Sequence, residues 1–280
     1  MHYREADLNL LHKVLYDILE EINRICQKYN IPYFLIGGSA IGLYYDKGIL
    51  PWDDDLDIGM TRENYNRFIK VAQKELQDSY FLSCVETDVH TPFFYAKVKK
   101  NNTLFVEECF RGVNMHHGIF VDIFPYDRVP DNKVLREAHY KIANFLKCCM
   151  MGKEVWMWTS FGKCQIERPL PRSGISCLIN KAMNLLLPKT MIYKLNVFVQ
   201  TFFNRCNTQY YNLVVAKVNY VESNEVNRVV PVKFGPIQTY ALKSWKKNLY
   251  LNYPNLHRHE GDEQVNHAPM ILSFNALSYE

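Results

Sequence analysis

Apolar and polar positions in the first half of the chain follow two periods. From Glu5 to Tyr29, Leu8, Leu11, Leu15, Ile18, Ile22, Ile25 and Tyr29 recur at steps of three and four, which predicts an amphipathic helix. Asn30-Ile31-Pro32 stops it, and the apolar run Tyr33-Phe34-Leu35-Ile36 predicts a short buried strand. In the Gly37-Gly38-Ser39 turn, Ser39 is expected to cap a short helix through Tyr45 that Gly48 ends. Leu56 to Met60 reads as the next strand. Thr61 reads as the cap of a helix to Leu76, with Tyr65, Phe68, Ile69, Ala72 and Leu76 on one side. Phe93 to Val98 and Thr103 to Val106, with an Asn-Asn turn between them, predict a hairpin. Gly118 to Phe124 is the strongest strand, and it leaves Asp122 among apolar neighbours.

Beyond Pro130 the helical period dominates, from Val134 to Met151 and again from Ile175 to Phe203 with a break at Pro188. The loop from Trp156 to Gly174 carries aromatic, proline and basic residues. From Val229 the pattern predicts strand, turn and a short helix between Ser244 and Tyr250, then a polar tail with His257, His259 and His267. The alternation of both periods predicts an α+β fold, a mixed sheet flanked by helices, with a mostly helical second half.

Composition narrows this picture. The 280 residues are 48% apolar and 22% charged, which suits a folded chain and argues against wholesale disorder. Eight cysteines without a CxxC pair, and no apparent signal peptide, point to reduced thiols in a cytoplasmic protein. No stretch reaches the roughly 18 uninterrupted apolar residues of a membrane span. The net charge of +4 is uneven: residues 131–210 hold twelve Lys/Arg against four Asp/Glu. That basic half could face nucleic acid, a membrane surface or an anionic substrate.

The candidate chemistry lies in Pro51-Trp52-Asp53-Asp54-Asp55-Leu56-Asp57-Ile58-Gly59, where four carboxylates occupy five positions. Carboxylates that close repel one another and resist burial without a counter-charge, and a hard divalent cation supplies one. In a strand, Asp55 and Asp57 share one face while Leu56, Ile58 and Met60 share the other, unlike a solvated acidic turn. Asp122 is the natural third acid, with a backbone-satisfied strand end as its plainer reading. His116-His117 and His257-Arg258-His259 lack cysteine partners at ligand spacing, so no zinc site is expected.

The order of strand, Gly-Ser turn, helix, Asp-x-Asp strand and later Asp strand resembles the nucleotidyltransferase superfamily. The longer string Gly38-Ser39-Ala40-x-Gly42 … Lys47-Gly48-Ile49-Leu50-Pro51-Trp52-Asp53-Asp54-Asp55-Leu56-Asp57 is similar to the LicD family and its fukutin-type relatives. Phe120-Val121-Asp122-Ile123-Phe124-Pro125-Tyr126-Asp127, Val129-Pro130, Lys97 with Thr103, and Asn266-His267 add to the resemblance. It is strong over Glu5 to Pro130 and patchy beyond. It implies a nucleotidyltransferase-like catalytic core over residues 1–130 and a helical, acceptor-side region over 131–280 whose C-terminal segment closes the site.

The family likeness implies transfer of phosphocholine or a polyol phosphate from a CDP-linked donor to a glycan hydroxyl, with release of CMP. Two cations can clamp both ends of such a displacement. On this reading Asp55 and Asp57 hold Mg²⁺, or Mn²⁺ in its place, and Asp122 is a third ligand or the base. Gly38 and Ser39 would offer backbone donors to the diphosphate. Trp52 joins the substrate-binding set. Asp53 and Asp54 would orient Lys47 or a metal-bound water, or shape the turn. Lys97 would bind phosphate, and His267 would contact phosphate or the leaving CMP. Trp156, Trp158 and Tyr95 are candidates to box a quaternary ammonium. The expected partners are a CDP-alcohol, a glycan or lipid-linked glycan acceptor and a peripheral membrane contact at the inner face; no nucleic acid is expected.

Two departures stand out. The family usually carries Arg where this chain reads Tyr44-Tyr45-Asp46, which leaves Lys47 as a substitute. The C-terminal part reads Leu251-Asn252-Tyr253-Pro254 in place of a Tyr-Gly-Asp signature. The rival readings are a nucleotidyltransferase that adds NMP from an NTP to a small molecule or RNA and releases pyrophosphate, and a non-catalytic nucleotide-binding relative.

Overall fold

A computed structural model describes residues 5–160, 175–214, 219–256, 267 and 269–275. His257, His259 and Asn266 lie outside the described residues, as does most of the loop from Trp156 to Gly174; the side chains of Trp156 and Trp158 are likewise outside them. The predicted first helix forms as α1 (Glu5–Tyr29). Its apolar stripe is wholly buried at Leu11, Leu15, Ile18, Ile22 and Ile25.

The chain then runs β1 (Phe34–Leu35), α2 (Gly37–Tyr45), β2 (Asp57–Thr61), α3 (Arg62–Glu75), β3 (Tyr80–Ser83), β4 (Ala96–Lys100), β5 (Leu104–Val106) and β6 (Phe120–Val129). The helices α4 (Lys133–Ser160), α5 (Ile175–Leu186) and α6 (Lys189–Thr201) follow. Next come β7 (Tyr210–Asn212), β8 (Val221–Glu222), β9 (Val229–Phe234), β10 (Ile237–Leu242), α7 (Trp245–Asn252) and β11 (Ile271–Ser273). This is the expected α+β class with a mixed sheet.

The main sheet has the order β1-β2-β6-β4-β3, parallel only between β2 and β6. Ile58 and Met60 of β2, Val98 of β4, and Val121 and Ile123 of β6 point one way, into the core beneath α1 and α3. The residues between them face the other side. β6 outlasts its neighbours, and its far end pairs with β7. There Asp127 is fully buried and bonded to Arg62 of α3 at 3.1 Å, while Asn204 donates to it at 2.7 Å. Gln200 of α6 accepts from Arg62 at 2.9 Å, so one ion pair ties α3, β6 and α6 together.

Three local expectations fail, each for a visible reason. Ser39 does not cap α2, whose N-cap is Ile36 with no side-chain bond; its hydroxyl instead accepts the Asp57 N–H at 2.9 Å. Gly48 does not end that helix, which stops at Tyr45. Gly48 loops back so that its carbonyl meets the Cα face of Gly42, where a Cβ would collide. The hairpin of Phe93–Val98 with Thr103–Val106 does not form. Both edges of β4 are taken, by β3 and by β6 with its lead-in, where Lys100 donates to the Ile119 carbonyl at 2.8 Å. β5 pairs with β11 instead.

Candidate functional site

The register of the sheet assembles the site. Asp57 on β2 pairs with Asp122 on β6, Asp122 with Lys97 on β4, and Lys97 with Ser83 on β3. Cross-strand partners put their side chains on one face. The row Asp57–Asp122–Lys97–Ser83 therefore lies on the face opposite the core.

Lys97 is buried, and its Nζ sits 2.7 Å from Asp122 Oδ1 and 3.1 Å from Oδ2. The rings of Phe120 and Phe93 hold the same ammonium at 3.3 and 4.3 Å from their centroids. Lys97 is thus the counter-charge of Asp122 rather than an open phosphate binder. This contact answers the question raised by an acid in an apolar strand.

The acidic string is bolted to the glycine turn. Ile36 N donates to the Asp57 carbonyl at 3.2 Å and Asp122 N to the Leu56 carbonyl at 2.9 Å. A Cβ on Gly38 would lie 2.7 Å from Asp53 Oδ2, and one on Gly37 would lie 3.3 Å from Asp57 Oδ2. Gly37 also has φ +55, a left-handed backbone that side chains disfavour. The glycines therefore let the backbone at the start of α2 approach two carboxylates. His12 of α1 donates to the Asp53 carbonyl at 2.7 Å, which docks the first helix on the same turn.

Burial and mutual repulsion act together on the acids. Burial, then the charges of Asp55 and Asp54, pushes Asp53 up to about 8. Burial also raises Asp55, with Asp122 and Asp54 adding to it and His267 opposing. Asp57 is raised well above the usual carboxylate range by burial and by Asp55, Asp122 and Asp53. These neighbours place Asp53, Asp55, Asp57 and Asp122 in one electrostatic cluster.

Asp54 is buried to one side, where its Oδ1 accepts from the His267 backbone N–H at 3.0 Å and meets the ring Nδ1 at 3.1 Å. Burial alone would discharge His267. The Asp54 hydrogen bond and the charges of Asp55, Asp54 and Glu107 outweigh it and lift the imidazole to about 10. His267 is therefore a second built-in cation of the site. Ligand-type atoms of Asp54, Asp55 and His267 lie within 4.8 Å of one another.

Of the remaining expected residues, Trp52 is half-buried. Lys47 is exposed beyond α2 with φ 52, and its carbonyl accepts from Gly235 at 2.5 Å. His116 and His117 do not converge on a metal: His116 Nδ1 accepts the Gly118 N–H at 3.0 Å, and His117 Nε2 meets the Val113 carbonyl at 2.9 Å. Tyr95 lies against Phe124 at 4.2 Å between centroids, and burial beside Asp122 and Asp57 raises its hydroxyl.

Sequence reasoning missed Glu107, Tyr126 and Tyr253. Burial raises Glu107, which sees the charges of Lys97, His267 and Asp122. The Tyr126 hydroxyl is buried with no hydrogen-bond partner, and it feels Tyr253 and Asp57. Tyr126 carried a readable signal, standing four positions from Asp122 and so on its face of β6. Glu107 and Tyr253 carried none.

As a donor set, four clustered carboxylates favour a hard divalent cation with oxygen preference.

Similarity to known proteins bears on this geometry. Residues 30–147 match the family described as LicD/FKTN/FKRP, nucleotidyltransferase domain. The chain is 26% identical over 251 residues to the lipopolysaccharide cholinephosphotransferase LicD of Haemophilus influenzae, covering 86% of this chain and 87% of that protein. An uncharacterized protein of Rickettsia typhi is 25% identical over 130 residues, 46% of this chain and 40% of its own length. Another from Rickettsia prowazekii is 38% identical over 69 residues, 25% of this chain and 26% of its own. The matched residues 30–147 contain Asp53, Asp54, Asp55, Asp57, Lys97 and Asp122, so the stretch that is similar to the LicD family is the one that carries the acidic cluster.

Proposed function

We propose that this chain transfers a substituted phosphate, phosphocholine or a polyol phosphate, from a CDP-linked donor to a hydroxyl of a surface glycan. The observation that carries the reading is the pairing of Asp57 with Asp122 across β2 and β6, facing a glycine turn that opens a helix. Likeness to a lipopolysaccharide cholinephosphotransferase over most of both chains supports the phosphocholine class.

In the reaction the glycan hydroxyl oxygen bonds to the donor's alcohol-bearing phosphorus, the bond from that phosphorus to CMP breaks, and CMP leaves. Mg²⁺, or Mn²⁺, would be held by Asp55, Asp57 and Asp122, and when bound it neutralises charge on the transferred oxygens. Asp122, oriented by Lys97, would serve as a ligand or as the base that accepts the hydroxyl proton. Gly38 and Ser39, in the first turn of α2, would offer backbone N–H groups to the diphosphate. His267, fixed by Asp54, covers the acids and presents a positive charge to phosphate or to departing CMP.

On this reading the protein works in the cytoplasm on a glycan or lipid-linked glycan; free cysteines among the described residues are consistent with that compartment. Incubation with CDP-choline, CDP-ribitol and CDP-glycerol plus Mg²⁺, scored for CMP with and without glycan acceptors, tests it. Acceptor-dependent CMP from one donor is the expected result. Pyrophosphate released from an NTP would move the reaction to nucleotidyl transfer. Failure of every CDP-alcohol to bind in the presence of Mg²⁺ would leave a non-catalytic relative.

A further inference from the structure

The second half of the chain leaves an apolar surface uncovered among the described residues. On α6, Met191, Leu195, Phe198 and Phe202 recur at steps of four, three and four, so they form one stripe. Phe198 is 61% exposed and Phe202 60%. On the adjoining α5, Leu185 is 84% and Leu186 74% exposed. The opposite face of α6, with Ile192, Asn196 and Gln200, is buried, so the helix is already docked on its other side. Cys149 against Met183 and His139 against the Val199 carbonyl fasten α5 and α6 to α4.

The charge of α5 and α6 has one sign, while α4 carries exposed Glu137 one turn before Lys141. Residues 168–221 contain no Asp or Glu and seven Lys or Arg. Lys141 on α4, Lys194 on α6 and Arg205 just past it are exposed, and none forms an ion pair with a described residue. Exposed Leu and Phe rimmed by Lys and Arg, on helices lacking acids, match the chemistry of an anionic lipid surface. The apolar side chains enter the acyl boundary while the basic heads stay at the phosphates. A second copy docked on the same face would set basic rim against basic rim. No described helix is long and apolar enough to cross a bilayer, so the contact lies along the surface.

We propose that α5 and α6, with the Lys141 edge of α4, form a docking face for a membrane rich in anionic phospholipid. The inference stands whether or not the transfer reaction is the one proposed above.

Co-sedimentation of the full chain with vesicles tests it, comparing pure phosphatidylcholine with an equimolar mixture of phosphatidylcholine and phosphatidylglycerol. The expected result is binding to the anionic vesicles only, weakened at least about tenfold by Phe198→Ser with Phe202→Ser and by Lys141→Glu with Lys194→Glu. Circular dichroism and CMP release with a soluble acceptor should be unchanged in both pairs, separating lost docking from lost fold or chemistry. Absent binding by the wild type, equal binding to both vesicle types, or undiminished binding by the variants overturns the proposal. So does a concentration-dependent dimer, seen by light scattering, that Phe198→Ser with Phe202→Ser dissolves while vesicles are ignored.

Discussion

Asp57 and Asp122 are register partners on β2 and β6, and burial together with the neighbouring carboxylates raises Asp57. Asp57→Asn removes one of several mutually repelling, buried charges. CMP release should fall by at least about 100-fold, while the unfolding temperature holds or rises, because relieved repulsion outweighs the lost ligand in metal-free protein. A falling melting temperature with intact turnover would contradict both halves. Lys97→Met has the opposite signature. It strips the buried counter-charge from Asp122, and breaking such a pair costs about 3 kcal/mol or more. Urea denaturation of the metal-free protein measures that loss directly.

Among the elements, β6 is the hinge of the construction. Its first half carries Asp122 into the site row, and its second half carries Asp127 into the Arg62 pair that binds α3 and α6. Arg62→Met leaves a carboxylate wholly buried without its cation and should cost about 3–5 kcal/mol. Arg62→Met with Asp127→Leu should recover most of that loss, a comparison available from denaturant midpoints of the three proteins. Thr61 forms the predicted cap of α3. Ser39 shows why capping is hard to read locally: the same hydroxyl served a strand eighteen positions away. Whether a serine next to a helix start bonds that helix or another strand depends on what the fold brings near it.

Over the whole molecule, two linkages follow. His116 is stacked on Phe81 at 4.8 Å, and its Nδ1 accepts a backbone N–H, a bond that protonation would break. Burial, aided by the charge of Lys99, pushes it from 6.5 down to about 4. Between those values the unfolded chain binds the proton and the folded chain does not, so stability falls as pH drops through that window. Asp53 and Asp57, raised by burial, act in the opposite direction over the same window, so the His116 share is read as a difference: between about pH 7.5 and about pH 5 the urea midpoint of His116→Asn should gain relative to that of the wild type. Magnesium acts in the other direction. If only the folded chain gathers the acids, Mg²⁺ should raise the unfolding temperature of the wild type and leave Asp57→Asn unmoved, as differential scanning calorimetry would show.

Much of this was legible in the amino-acid order. The periods of three-to-four and of two are local consequences of side-chain direction, so α1, α3, the break at Pro188 and the buried strand with its lone acid could be read directly. Asp53, Asp54, Asp55 and Asp57 announced themselves by crowding. What no spacing contains is which strand lies beside which. Only the folded sheet put Lys97 on Asp122, sent β5 to β11 instead of β4, and brought Glu107 and His267 across to the acids. Those contacts join residues tens to hundreds of positions apart, and they exist because backbone hydrogen-bond edges, once filled by one strand, exclude every other.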